Sequence, residues 1–368
     1  MKRSGQFLFL LIPALLLLAA CATPEIASVK RRYVWPSNYE DAKIEWIASY
    51  SSNLDLKAEK GLFEKIVGED HVLPIEKPIG VTSDGLGRIF VTRGGRASGG
   101  TIYMLDLNKH EMLQLGGESF QGVVRICTGI TVDGAGNVYV ADSDSRKVHV
   151  IDIASNKPVR VLDFGKELKS IALMTIDKKN NRIVLPDYKG NKVLVANLAG
   201  TTIVTIGKPG AGNGEFNRPN AVAVESDGAI VVADSFNARI QRFDKAGAFL
   251  SKFGNRGDGP TDFALIKGVA VDSEDHIYVT DGQSSKLAIF SNKGESLLSL
   301  GEAAAQHLSQ KLMIGGFLIP QGIYIDQNDR IYIADQLNHR IQVFQYLNEK
   351  YLKDNPLPAV TTDRQPAK

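Results

Sequence analysis

The chain has 368 residues, 43% hydrophobic and 23% charged, with 35 glycines and a formal net charge of +2. That length admits one large domain or two ordinary ones, and the composition is globular. A near-neutral balance argues against a nucleic-acid partner, which needs clustered cations to neutralise phosphates, and so much glycine favours tight turns over long helices.

Residues 1–20 begin with Lys2 and Arg3, continue as an apolar run from Phe7 to Leu18 and end in small residues. This is the layout of a secretory signal peptide. The run is short for a ~30 Å hydrocarbon core, which takes about 20 residues to cross. Its end, Leu18-Ala19-Ala20-Cys21, resembles the lipobox of bacterial lipoproteins. The resemblance implies a lipid on Cys21, cleavage just before it, and a membrane partner reached through that lipid. With Ala22 rather than Asp following, it implies the outer membrane, facing the periplasm. Losing Lys2 and Arg3 takes the net charge from +2 to 0. With Cys21 lipidated, Cys127 has no intramolecular partner and is expected as a buried free thiol. Residues 21–43 read as a polar, lipid-anchored tether.

From residue 44 the chain repeats. Six segments align: "GVTSDGLGRIFVTR" from Gly80, "GITVDGAGNVYVAD" from Gly129, "LMTIDKKNNRIVLPD" from Leu173, "AVAVESDGAIVVAD" from Ala221, "GVAVDSEDHIYVTD" from Gly268 and "GIYIDQNDRIYIAD" from Gly322. The second apolar run closes on Asp142, Asp187, Asp234, Asp281 and Asp335, at intervals of 45, 47, 47 and 54; Arg93 stands in the first repeat, 49 before Asp142. Each unit has room for four short strands. Runs such as "AVAV" and "IVVA" are apolar on both faces, so the strands lie between sheets. The expected fold is all-β, a six-bladed β-propeller spanning 44–346. The last repeat supplies only three strands before the polar segment 347–368, which reads as a flexible tail. "KIEWIASY", Lys43 to Tyr50, is an orphan strand that completes blade six and closes the ring.

The pattern P-x-G-V-A-V-D…I-Y-V-A-D…N-x-R-I-Q-x-F, seen here at Pro320 to Phe344 and, with "NARIQRF", at Pro219 to Phe243, resembles the NHL-repeat propellers. The likeness covers about Ile44 to Tyr346, strongest in repeats four to six. As a whole the chain resembles bacterial lipoproteins that carry such a propeller. The resemblance implies a monomeric, non-catalytic binding or scaffold module for a protein, peptide or glycan. The alternative it leaves open is a propeller enzyme, a lyase or a lactonase-like hydrolase, acting at the channel mouth.

A cation follows each repeated Asp by five residues: Asp142–Lys147, Asp187–Lys192, Asp234–Arg239, Asp281–Lys286 and Asp335–Arg340. These read as exposed structural pairs across a hairpin mouth, each contributing about 0–1 kcal/mol. The six histidines (His71, His110, His149, His276, His307, His339) fall on turns, loops and an outer strand, not on one ring, so no metal site and no catalytic group is assigned. No cofactor motif is present. "RGD" at Arg256 to Asp258 reads as a turn. Ligand-binding candidates are the loop-face residues that vary between blades: Arg93, Arg96, Tyr188, Asn220, Lys267, Gln321 and Gln336. In the long loop 301–320, Glu302 to Met313 is expected to form an amphipathic helix with Ala305, Leu308 and Leu312 on one stripe.

Overall fold

The computed structural model describes residues 32–57, 71–94, 99–117, 120, 122–259, 261–306 and 313–358. The signal peptide, Cys21, Arg96, His307, Leu308 and Leu312 lie outside them. From Tyr33 onward the described residues build six antiparallel sheets. Their innermost strands are Pro78–Ser83, Cys127–Val132, Thr175–Asp177, Pro219–Val224, Ile266–Val271 and Pro320–Ile325. In each blade the second strand ends on the repeated Asp, or on Arg93 in blade one.

Hydrophobic core fills the wedge between each pair of neighbouring blades, which is why the strands carry apolar residues on both faces. One wedge unites Val81, Val91 and Leu105 of blade one with Tyr332, Ala334 and Val343 of blade six. The ring is therefore closed by packing as well as by strand pairing. Ile44–Tyr50 is the fourth strand of blade six, antiparallel to Arg340–Tyr346, with Ile44 opposite Tyr346 and Trp46 opposite Phe344.

Two boundaries differ from the expectation. Part of the segment read as tether, Tyr33–Trp35, pairs with Ile44–Trp46 of the closing strand as a fifth strand. Part of the segment read as tail forms a helix, Glu349–Asp354, capped by the Asn348 side chain accepting from the Tyr351 N–H. Val34, Ala42 and Leu347 are buried together, with Tyr351 and Leu352 against them. The few apolar residues in these polar stretches cover one another, which single-segment composition does not disclose. In the 301–320 loop, Ala303 bridges to Phe317 and Ala304 donates to the Phe317 carbonyl. The described start of the expected helix is thus extended, because its backbone groups are taken by the returning loop.

Glycine at the head of the inner strands has a packing cause. A Cβ on Gly80, Gly129, Gly268 or Gly322 would lie 2.5, 2.6, 2.7 and 2.6 Å from the carbonyl oxygens of Thr128, Ala172, Gln321 and Ile79 on the next blade. Glycine lets neighbouring inner strands touch at that level of the channel.

Candidate functional site

The repeated Asp–cation pairs sit directly opposite each other in register, as expected. The expectation that they are exposed ion pairs is wrong. All five carboxylates are buried, at 0–1% exposure, and only Asp234–Arg239 and Asp335–Arg340 are ion pairs, both 2.8 Å and both buried. Lys147 lies instead 3.7 Å from Asp163, and Lys286 donates to the Asp262 carbonyl. For Lys192 nothing beyond the register pairing supports the pair.

What each Asp holds is the loop arriving from the preceding blade. Asp142 accepts from the Arg125 and Ile126 N–H groups, Asp187 from Lys169 and Ser170, Asp234 from Asn217, Asp281 from Ala264 and Leu265, and Asp335 from Leu318. The N-x-R-I-Q motif completes the clamp. Arg239 donates to the Ala211, Gly212 and Glu215 carbonyls, while the Gln241 side chain bonds both Glu215 and Gly214. Arg340 and Gln342 do the same for Met313, Gly315 and Gly316. Burial pushes the carboxyls of Asp234 and Asp335 above the ordinary range, against these hydrogen bonds. Blade one reverses the charges: Arg93 pairs with Glu76 at 2.6 Å. Its departure from the repeat is thus a charge-swapped clamp.

The remaining loop-face candidates separate into groups. Asn220 donates to the Lys267 carbonyl, joining blades four and five, and the Gln321 and Gln336 side chains bond each other at 3.1 Å within blade six. Burial lowers the pKa of Lys267, with Asp281 acting against it. Tyr188 belongs to the most distinctive feature of this face. The Arg218 guanidinium lies over the Tyr188 ring at 5.4 Å and the Phe236 ring at 4.7 Å, and donates to the Tyr188 hydroxyl at 3.3 Å. The rings meet edge to face at 6.3 Å. Phe236 is 40% exposed and Arg218 is exposed.

Arg218 and Phe236 were not among the candidates. Their signal was present: two residues past the repeated Asp, sister hairpins have Asp144, Lys189, Gln283 and Leu337, and only blade four places an aromatic there. Arg256 of the "RGD" donates to the Phe236 and Ala264 carbonyls, which supports the turn reading.

The channel has a second mouth, on the side of the first hairpin turns, opposite the loop face. A cavity of about 360 Å³ runs from Gly80, Leu173 and Gly322 down to Lys178, Ser226, Ser273 and Gln327. Each inner strand ends here on a carboxylate or just before one: Asp84, Asp133, Asp177, Glu225, Asp272 and Asp326. Among the described residues, no three His, Cys, Asp or Glu groups converge as metal ligands. His149 is buried against Phe120, and His276 bonds Asp272 at 2.9 Å. Cys127 is a buried free thiol, pushed up by burial and by Asp142.

These features define the class: an all-β, six-bladed β-propeller of the NHL type. A family described as "6-bladed beta-propeller" matches residues 224–302, and the NHL-repeat family matches 317–344. Protein lin-41 of Caenorhabditis elegans is 49% identical over 43 residues, 12% of this chain and 4% of that protein, so the chain spans a small fraction of that relative. Among solved structures, a Bacteroides thetaiotaomicron protein of unknown function aligns with a TM-score of 0.56 at 14% identity, over 74% of this chain and 70% of that one. Streptogramin B lyase aligns at 0.51 and 14% identity, over 75% and 83%. Virginiamycin B lyase from Staphylococcus aureus aligns at 0.51 and 14%, over 74% and 95%. At these identities the likeness is one of fold.

Proposed function

We propose that this propeller is a binding module that takes a protein, peptide or glycan partner on its loop face, and that a lipid on Cys21 tethers it to the bacterial envelope. The observation that carries the binding reading is the Tyr188–Arg218–Phe236 stack. Phe236 stays 40% exposed at its hairpin tip, and aromatic and Arg side chains are the residues that anchor interfaces. The guanidinium keeps donors free beyond its contact with Tyr188, so the stack offers apolar area and directional polarity together. Around it the five repeated Asp carboxylates are turned inward as clamps. The tether reading is supported by Leu18-Ala19-Ala20-Cys21.

The binding reading is tested by capture from native envelope extract. Phe236→Ala and Arg218→Ala are expected to lose a partner retained by the wild type, with thermal stability unchanged. Capture unaffected by both substitutions would contradict it. For the tether, Cys21→Ser is expected to abolish incorporation of labelled fatty acid; continued labelling would contradict it.

A further inference from the structure

The mouth opposite the loop face has a chemistry of its own. The six carboxylates at the strand ends are satisfied within their own blades, while Asp329 and Asp275 of the same turns accept from Ser273 and Ser226 of the preceding blade. Asp84 holds Arg88, Asp177 holds Arg182 at 2.8 Å, Glu225 holds Arg242 at 2.6 Å and Asp272 holds His276 at 2.9 Å. Asp133 and Asp326 each accept two backbone N–H groups of their own turn and the hydroxyl of Tyr139 or Tyr332. The cations facing the opening are not so matched. Lys178 reaches from blade three across to blade six, where its Nζ meets the Tyr324 hydroxyl at 3.5 Å. Lys179 donates to the Ser226 carbonyl at 3.0 Å. Among the described residues neither ammonium lies within ion-pair distance of a carboxylate. Desolvation lowers the Lys178 pKa, against the more distant pull of Asp133, Asp326 and Asp84. Burial pushes the Tyr324 phenol up, so its hydroxyl keeps its proton. Behind these donors the cavity walls are apolar, with Val81, Ile130, Ile176, Val222, Val269 and Ile323 among them.

An apolar cavity of about 360 Å³ with convergent donors at one end is the layout of a small-molecule site. The carboxylates are already spent and the two ammonium groups face neutral oxygens, so the group still missing is an anion. We propose that this mouth is a second binding site for a small amphiphilic monocarboxylate, its chain in the channel and its carboxylate on Lys178 and Tyr324. The site is independent of the loop face.

Titration calorimetry on the full chain carrying Cys21→Ser, which removes the lipobox thiol, tests this with three probes of equal chain length: octanoate, octanol and octylamine. Octanoate is expected to bind saturably at one site, at least tenfold tighter than the other two. Lys178→Met is expected to weaken octanoate at least tenfold and leave octanol unchanged, Lys178→Arg to restore most of the affinity, and Phe236→Ala to have no effect. Unfolding curves of each variant check that the propeller is intact. Absence of saturable octanoate binding, tighter binding of octylamine, or an unchanged affinity in Lys178→Met would each overturn the proposal. Loss of octanoate binding in Phe236→Ala would also overturn it, by placing the ligand on the other face.

Discussion

At the residue scale, the repeated Asp and the N-x-R-I-Q residues hold the inter-blade loops, and their energetics follow from burial. Arg340 is 1% exposed and donates to Asp335, Gln306, Met313 and Gly316. Arg340→Met leaves a buried carboxylate without its cation and is expected to destabilise by about 3–5 kcal/mol. Lys147→Met, whose side chain is 41% exposed, is expected to cost about 0–1 kcal/mol. Urea unfolding of the two variants reads the difference, and equal losses would contradict the clamp. Two histidines give opposite pH responses. Burial lowers the His149 pKa, with Lys147 acting the same way and Asp142 against it. Its contribution is therefore complete above about pH 6.5 and is lost as pH falls through the folded value. The hydrogen bond to Asp272 raises the His276 pKa. That contribution is complete below about pH 6.5 and is lost as pH rises through the folded value. His149→Phe is expected to flatten the acid-side loss of stability, and His276→Asn the loss at higher pH. An acid limb unchanged in His149→Phe would count against this assignment.

At the scale of elements, the inner strands carry the strongest constraint. Gly322→Ala pushes a methyl to within 2.6 Å of the Ile79 carbonyl oxygen, whereas Gly134, in a turn, has nothing within 4 Å. The first is expected to lower stability by about 1–3 kcal/mol and Gly134→Ala to change it by less than about 0.5 kcal/mol. Thermal melts showing both variants alike would contradict the close approach of the blades. The six repeats, their strands and the closing strand at 44–50 were legible because apolar period and turn residues are local signals. The Asp clamps were half legible. Spacing placed Asp335 opposite Arg340, but not the Leu318 N–H that comes to the same carboxylate from another blade's connection. Lys178 reads in sequence as one more turn lysine. Its meaning lies in Tyr324, 146 residues away across the ring, and no local pattern carries that.

At the scale of the whole molecule, closure is shared by the two ends of the folded chain. Ile44–Tyr50 covers the edge of Arg340–Tyr346, and Val34, Ala42 and Leu347 seal the seam. A chain beginning after residue 50 exposes an unpaired strand edge and is expected to self-associate, as light scattering would register. A chain beginning at Arg32 is expected to keep the full-length unfolding midpoint. If both truncations behave alike, the closing strand is dispensable and the seam has been misjudged. The loop face remains the seat of the proposed function, and a photo-crosslinking amino acid at position 236 examines it directly. Irradiation in the native envelope is expected to yield a discrete crosslinked partner, absent when the same group is placed at Leu250 on an outer strand. Crosslinking from neither position, or equally from both, would contradict a binding module that works through this face.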